Sequence, residues 1–176
     1  MKKYKLTAKK ITLPNGTVLR RIKALIDIGS DVKAGDFGGY IEKEENLSQK
    51  GSAWVYDKAQ VSGTAKVYDD ARVWGNARVW GNAWVCGNAW VCGNACVSST
   101  VDYFSVSPVG SRHSTITFYR TENGIGVSTG CFSGTLDEFA TAVNNKHGKN
   151  EHGKIYRKLI EFAKVRLNVP RKKEKP

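Results

Sequence analysis

The sequence predicts a mainly β protein built on a short β-solenoid, with a β segment ahead of it and a small α+β module behind it. Three observations lead there. From Ala53 onward the chain repeats A-x-V-x-x-x without a gap, with Ala at 53, 59, 65, 71, 77, 83, 89 and 95 and Val two residues after each. Corner pairs punctuate the repeat as Gly63-Thr64, Asp69-Asp70, Gly75-Asn76, Gly81-Asn82, Gly87-Asn88 and Gly93-Asn94. On either side the hexads vanish, giving way to hairpin signals before them and to strand and helix signals after them.

Within a hexad, Ala and Val alternate with outward residues, the period-two signature of a short strand with one buried face. Gly and Asn tolerate the positive φ of a sharp corner. Four strand residues and a two-residue corner, iterated, close into a coil in which each strand pairs with the strand one full coil later. This pattern resembles the hexapeptide repeat of left-handed parallel β-helices, and the resemblance implies three hexads per triangular coil and just under three coils. Residues 18 apart would then stack into outward columns: Trp54, Arg72, Trp90; Tyr56, Trp74, Cys92; Lys66, Trp84; and Ser62, Trp80, Ser98. A guanidinium between two indoles is a cation–π stack. On this reading all five Trp face outward, and an aromatic exterior of that size marks an interface. Trp54, Arg72, Trp74, Trp80, Trp84 and Trp90 are the candidate oligomer-interface residues, with a homotrimer favoured by analogy with related β-helices.

Residues 1–50 read as an N-terminal β-hairpin cap, in which Lys10-Ile11-Thr12-Leu13, the turn Pro14-Asn15-Gly16 and Thr17-Val18-Leu19-Arg20-Arg21-Ile22 form the hairpin. Asp36-Phe37-Gly38-Gly39-Tyr40-Ile41 leads into the β-helix proper, residues 51–103. In the α+β module, residues 104–168, strands are expected at Tyr103 to Val109, Thr115 to Tyr119 and Gly124 to Thr129. Thr135-Leu136-Asp137-Glu138 is a capping box for a helix whose apolar face is Leu136, Phe139, Ala140 and Val143. A second helix is expected from about Gly153 to Asn168, ended by Val169-Pro170, with a basic disordered tail over 169–176.

Composition narrows the function classes. The 176 residues carry 28 Lys+Arg against 16 Asp+Glu, a formal net charge of +12. No apolar run approaches a membrane span, and the N-terminus lacks the apolar core of a secretory signal, so a cytoplasmic protein with no membrane partner is expected. Cys86, Cys92, Cys96 and Cys131 fit neither a disulfide framework nor a paired zinc motif. The charge sits on the flanks, since residues 53–100 hold 4 basic and 3 acidic residues.

Three further stretches look like motifs: Gly110-Ser111-Arg112-His113-Ser114-Thr115, Gly130 through Phe139, and His147-Gly148-Lys149-Asn150-Glu151-His152-Gly153-Lys154-Ile155-Tyr156. Together with Lys33 to Glu42, which fits K-A-G-D-x-G-G-[YW]-I-E, they resemble a family of phage- and prophage-encoded hexapeptide-repeat proteins, over nearly the whole chain. The resemblance implies a phage origin, residence in the host cytoplasm and a role against host defence, with no settled activity. Physically, Arg112 can grip a phosphate bidentately, and Thr135 stands at a helix N-terminus, where the macrodipole favours anions. Ser111, Arg112, Thr115, Thr135, His147, His152, Lys154 and Tyr156 are the candidate ligand-binding residues. The bland alternative makes Thr135 a cap, pairs Arg112 with Asp137 or Glu138, and leaves the histidines lining a loop.

Cys131, His147 and His152 lack a recognised zinc spacing, and a Cys131–His147 nucleophilic pair lacks an orienting residue. No metal, cofactor or catalytic residue is therefore assigned. The acyltransferases that share this repeat generally use a His in or beside the coils, whereas no His lies between residues 1 and 112 here. Nucleic-acid binding is a second alternative, from the positive charge and from Arg72 and Arg78 among outward Trp. The leading expectation is a non-enzymatic oligomeric binding protein whose basic module captures an anionic ligand, such as a nucleotide signal, or a host defence protein.

Overall fold

A computed structural model describes residues 2–168, so the basic tail expected at 169–176 lies outside the described residues. Three antiparallel strands open the chain: β1 (Tyr4–Thr12), β2 (Val18–Ala24) and β3 (Phe37–Ile41). Eight two-residue strands follow, one per hexad: β4 (Trp54–Val55), β5 (Gln60–Val61), β6 (Lys66–Val67), β7 (Arg72–Val73), β8 (Arg78–Val79), β9 (Trp84–Val85), β10 (Trp90–Val91) and β11 (Cys96–Val97). They form a β-solenoid of about three turns with parallel pairing on three faces, β5-β8-β11, β4-β7-β10 and β6-β9. Trp54 pairs with Arg72 and Arg72 with Trp90, Gln60 with Arg78 and Arg78 with Cys96, and Lys66 with Trp84. The stacked columns expected at Trp54-Arg72-Trp90 and Lys66-Trp84 are therefore present.

All eight repeat Ala and all eight repeat Val are buried, filling the interior with short side chains that let three strands meet. The fifth hexad position takes positive φ at each corner from Asp57 to Gly93, whether it is Gly63, Gly75, Gly81, Gly87 and Gly93 or Asp57 and Asp69. At Gly81 a side chain is excluded twice over, since φ is 60° and a Cβ would lie 2.5 Å from the Ser98 carbonyl oxygen. Where Asp replaces Gly, its carboxylate does a second job: Asp57 accepts from the Gly75 N–H at 3.3 Å and Asp69 from the Gly87 N–H at 3.1 Å, tying one coil to the next.

β3 runs parallel to β5 and so joins the opening sheet to one solenoid face. Gly38 and Gly39 permit this contact, because Cβ atoms there would stand 2.5 Å from the carbonyl oxygens of Val55 and Ala59 respectively. The G-G of the Lys33–Glu42 motif is thus a close-approach requirement. Side chains meet other carbonyls at this end. Lys3 Nζ donates to Ala53 O at 2.9 Å, and Asn46 Nδ2 to Ala65 O at 2.8 Å. Trp54 is 1% exposed because the Tyr4 ring stands edge-on against it at 6.1 Å. This corrects the expectation that every Trp faces solvent: Trp54 points away from the coil axis but the opening sheet covers it.

Behind the solenoid, β12 (Tyr103–Val109), β13 (Ser114–Thr121), β14 (Gly124–Thr129) and β15 (Phe132–Thr135) form an antiparallel sheet in chain order. The strand β15 carried no periodic signal in the sequence. Helices α1 (Leu136–His147) and α2 (Glu151–Leu167) pack on one face, against Ile116, Phe118 and Val127. α2 starts two residues before its expected position because Asn150 Oδ1 caps it, accepting from Gly153 N at 2.9 Å.

The other face of the sheet meets the last coil. Trp90 N donates to Thr117 Oγ1 at 3.1 Å, and Ser128 Oγ donates to Trp90 O at 2.6 Å. Tyr103 Oη donates to Trp84 O at 2.8 Å and accepts from Cys86 N at 3.4 Å. Thr117 and Ser128 are buried, so these hydroxyls stand where the next coil's backbone would otherwise be. No helix among the described residues is long and apolar enough to cross a membrane.

Thr117→Val keeps the side chain's shape but strands the Trp90 N–H, and should lower unfolding free energy by about 1 to 3 kcal/mol in urea titrations; an unchanged midpoint would contradict the pairing. A second prediction concerns Lys3, whose ammonium is buried and whose pKa falls from 10.5 to about 8, mainly by desolvation and against the pull of Asp70. Between those values the unfolded chain binds the proton and the folded chain releases it, so the group adds stability as pH rises from about 8 to 10.5 and loses it as pH falls back. The stability difference between wild type and Lys3→Met should climb across that window in pH-dependent denaturation, and a flat difference would refute the burial.

Candidate functional site

The α1 stripe Phe139, Ala142, Val143, Lys146 and His147 follows the i, i+3, i+4, i+7, i+8 pattern of one helical face. It begins apolar at the buried Phe139 and Val143 and ends cationic at the exposed Lys146. This stripe forms one wall of a cavity of about 240 Å³. The β12–β13 turn supplies Ser111 and Arg112 and the start of β13 Ser114, the β14–β15 turn supplies Gly130 and Cys131 and the start of β15 Phe132, and α2 supplies Tyr156.

Local chemistry explains why each piece stands there. Thr135 N-caps α1 through a reciprocal box, with Glu138 N donating to its Oγ1 at 3.2 Å and Thr135 N donating to Glu138 Oε2 at 2.8 Å. Gly148 ends α1 with φ at 49°, and Arg157 Nη1 donates to its carbonyl at 2.7 Å, holding the α1–α2 turn against α2. The turn that carries Arg112 lies directly over α2: any Cβ at Gly110 would overlap the Tyr156 hydroxyl. His113, at φ 50°, completes the reversal and sends the chain back into β13.

Aromatic rings line the cavity in a connected row. Phe132 meets Phe139 at 5.2 Å, Phe139 meets Tyr156 at 5.5 Å in a T-shaped contact, and Tyr156 meets His147 at 5.4 Å. Partial desolvation, then the charges of His152 and Lys146, hold the His147 imidazole below its ordinary pKa of 6.5. Burial raises the Tyr156 phenol, which stays a neutral hydroxyl at physiological pH. Among the described residues, Arg112 and Lys146 form no ion pair, and the Arg112 pairing with Asp137 or Glu138 that the sequence left open is not present.

The candidate ligand residues divide. Ser111, Arg112, His147 and Tyr156 line this cavity. His152 stands behind it, ring to ring with His147 at 5.8 Å. Thr115 donates to Ser107 Oγ at 3.0 Å, and Lys154 pairs with Glu151 at 2.6 Å. Thr135 lines a different cavity, beside Cys92, Tyr119 and Ser133. There Cys92 Sγ shares hydrogen bonds with Tyr119 Oη at 2.9 Å and Ser133 Oγ at 3.0 Å. Lys146 and the rings of Phe132 and Phe139 line the site but were not among the candidate ligand residues. The signal for Lys146 was available in its spacing from Phe139 and Val143.

The candidate interface residues also differ among themselves. Trp74 and Trp84 are 39% and 49% exposed, Trp80 and Trp90 half-buried, and Trp54 covered. Arg72 lies 5.3 Å from the Trp90 ring centre and pairs with Asp31, while Arg78 pairs with Glu122. Each of these two cations thus has an acidic partner within the chain.

No protein-family model matches this chain, and no curated protein matches its sequence.

A proton NMR titration should place the His147 midpoint below 6.5, and Lys146→Gln should raise it by removing a repelling charge. A midpoint above 6.5, or one indifferent to Lys146, would contradict this electrostatic picture.

Proposed function

We propose that the chain is a phage-encoded, non-enzymatic binding protein acting against host defence, whose C-terminal module captures an anionic ligand from the host cell. Its solenoid is read as a left-handed hexapeptide-repeat helix, capped by residues 1–50 and assembled into trimers through the exposed Trp74 and Trp84. One observation carries the binding reading: Arg112 and Lys146, unpaired among the described residues, converge on the cavity that also gathers Ser111, His147 and Tyr156. Cations without internal partners keep their full attraction for an incoming anion, and a guanidinium adds bidentate geometry.

The larger cavity beside the solenoid, about 430 Å³, supports this choice by contrast. Its Arg78 and Arg120 face Glu122 and Asp102 respectively, so its positive charge is already answered. The same internal pairing weakens the nucleic-acid alternative, which drew on Arg72 and Arg78. A host protein captured through an acidic side chain would use the same two cations.

Pyrophosphate is a suitable generic probe. Isothermal titration of the full chain should show binding that weakens at least tenfold in Arg112→Gln, with thermal stability unchanged because Arg112 is exposed. Loss of 1.4 kcal/mol, one charge-assisted hydrogen bond's worth, corresponds to that factor. Absence of binding to wild type, or equal binding by the variant, would refute the site.

A further inference from the structure

Anion capture alone does not account for the inner half of the cavity. Its wall is aromatic, from Phe132 through Phe139 and Tyr156 to His147, and its cations stand at the rim, on the exposed side chains of Arg112 and Lys146. Phe139 packs against Tyr156 at 5.5 Å and against Phe132 at 5.2 Å, so the rings form one continuous apolar wall on which a flat ring can lie. Inorganic phosphate or a carboxylate would leave that apolar wall unused. A hydrocarbon would leave Arg112 and Lys146 unused.

We propose that the cavity takes a nucleoside monophosphate, its base laid against the aromatic wall of Phe132 and Tyr156 that Phe139 backs, and its phosphate held at the rim by Arg112 and Lys146. This rests on the anion-capture reading and names the chemical class of its ligand. Volume supports one nucleotide unit: about 240 Å³ lies below the roughly 300 to 1,000 Å³ of drug-sized sites. A single base fits inside with its phosphate outside, whereas a dinucleotide would have to leave its second base in solvent. Base–aromatic stacking is strong and tolerant of base identity, since every base offers a π-face.

Two details fit the ligand further. The Tyr156 hydroxyl has no hydrogen-bond partner among the described residues, although it sits under the Gly110 turn at the cavity wall. It is a donor and acceptor available to a base edge or a ribose hydroxyl. Ser111, on the same turn as Arg112, adds a hydroxyl next to the phosphate position.

The test titrates the full-length protein in parallel with AMP, adenosine and inorganic phosphate by calorimetry. AMP should bind about 5- to 150-fold more tightly than phosphate, the span that one base stack confers. Tyr156→Phe, which keeps the ring, should weaken AMP roughly 2- to 10-fold. Because Tyr156 also packs on Phe139, a label-free check on wild type is included: AMP, but not phosphate, should shift the ring resonances of Tyr156 and Phe132. Phosphate binding at Arg112 with no gain for AMP would overturn the nucleotide assignment while leaving anion capture standing. No binding by either would overturn both. AMP binding that survives Arg112→Gln undiminished, or ring shifts absent from Tyr156 and Phe132, would likewise overturn the assignment.

Discussion

A stack of parallel coils satisfies its own backbone everywhere except at its two ends, and that exception organises the rest of the molecule. In the interior, each outward residue donates to the carbonyl seventeen positions on, as Trp54 N does to Ala71 O at 3.0 Å. The final coil has no later residues to pair with. Buried polar groups left unpaired are costly, and here side chains replace the missing backbone: Thr117 and Ser128 for Trp90, Tyr103 for Trp84 and Cys86, and, at the opposite end, Lys3 and Asn46. Asp102 extends the same logic, accepting from the amides of Ser98 and Ser99 at 2.8 and 3.0 Å while it faces Arg120.

Closing the end this way gives the C-terminal sheet two buried faces with different chemistry. On β13, Thr117 and Tyr119 look toward the coil while Ile116 and Phe118 look toward the helices. The hydroxyl-bearing face seats the sheet, and the apolar face then positions α1 and α2. Because α1 is pinned at Thr135 and at Gly148, its stripe from Phe139 to His147 is presented to the turns at Gly110 and Gly130. The cavity follows from this seating: a rigid scaffold carries turns and helix ends, and the site's cations stand on the Gly110 turn and on the last turn of α1. Tight contact between Gly110 and Tyr156 sets where Arg112 can stand.

Most of the architecture was legible in the sequence because its physical causes repeat. The hexad alternation and the corner residues from Asp57 to Gly93 are each strict local requirements, repeated in step with the hexads. Strands β12 and β14 and the capping box at Thr135 were also readable from neighbours alone. What escaped were decisions made by distant partners. The strands carrying Thr117 and Ser128 were expected, but nothing near them in sequence shows that the last coil buries these hydroxyls. Trp54 read as exposed, but Tyr4 covers it. Arg72 and Arg78 read as free cations, although Asp31 and Glu122, more than forty residues away, pair with them. At the site, Arg112 and His147, which residue chemistry singled out, line the cavity, whereas Lys146 was not singled out, and Thr135, read both as a ligand residue and as a helix cap, caps α1.

If hydroxyls of the C-terminal sheet stand in for a missing coil, the amides at the solenoid's last turn should behave as interior amides do. Native-state hydrogen exchange on the full-length protein measures this directly at the Trp90 amide. The account predicts protection comparable to that of Arg72, the residue paired with Trp90 one coil earlier, whose amide bonds to backbone. Exchange of Trp90 at the rate of an open corner residue such as Asn88, with Arg72 still protected, would show that the coil end is not sealed and that the sheet is not seated as described.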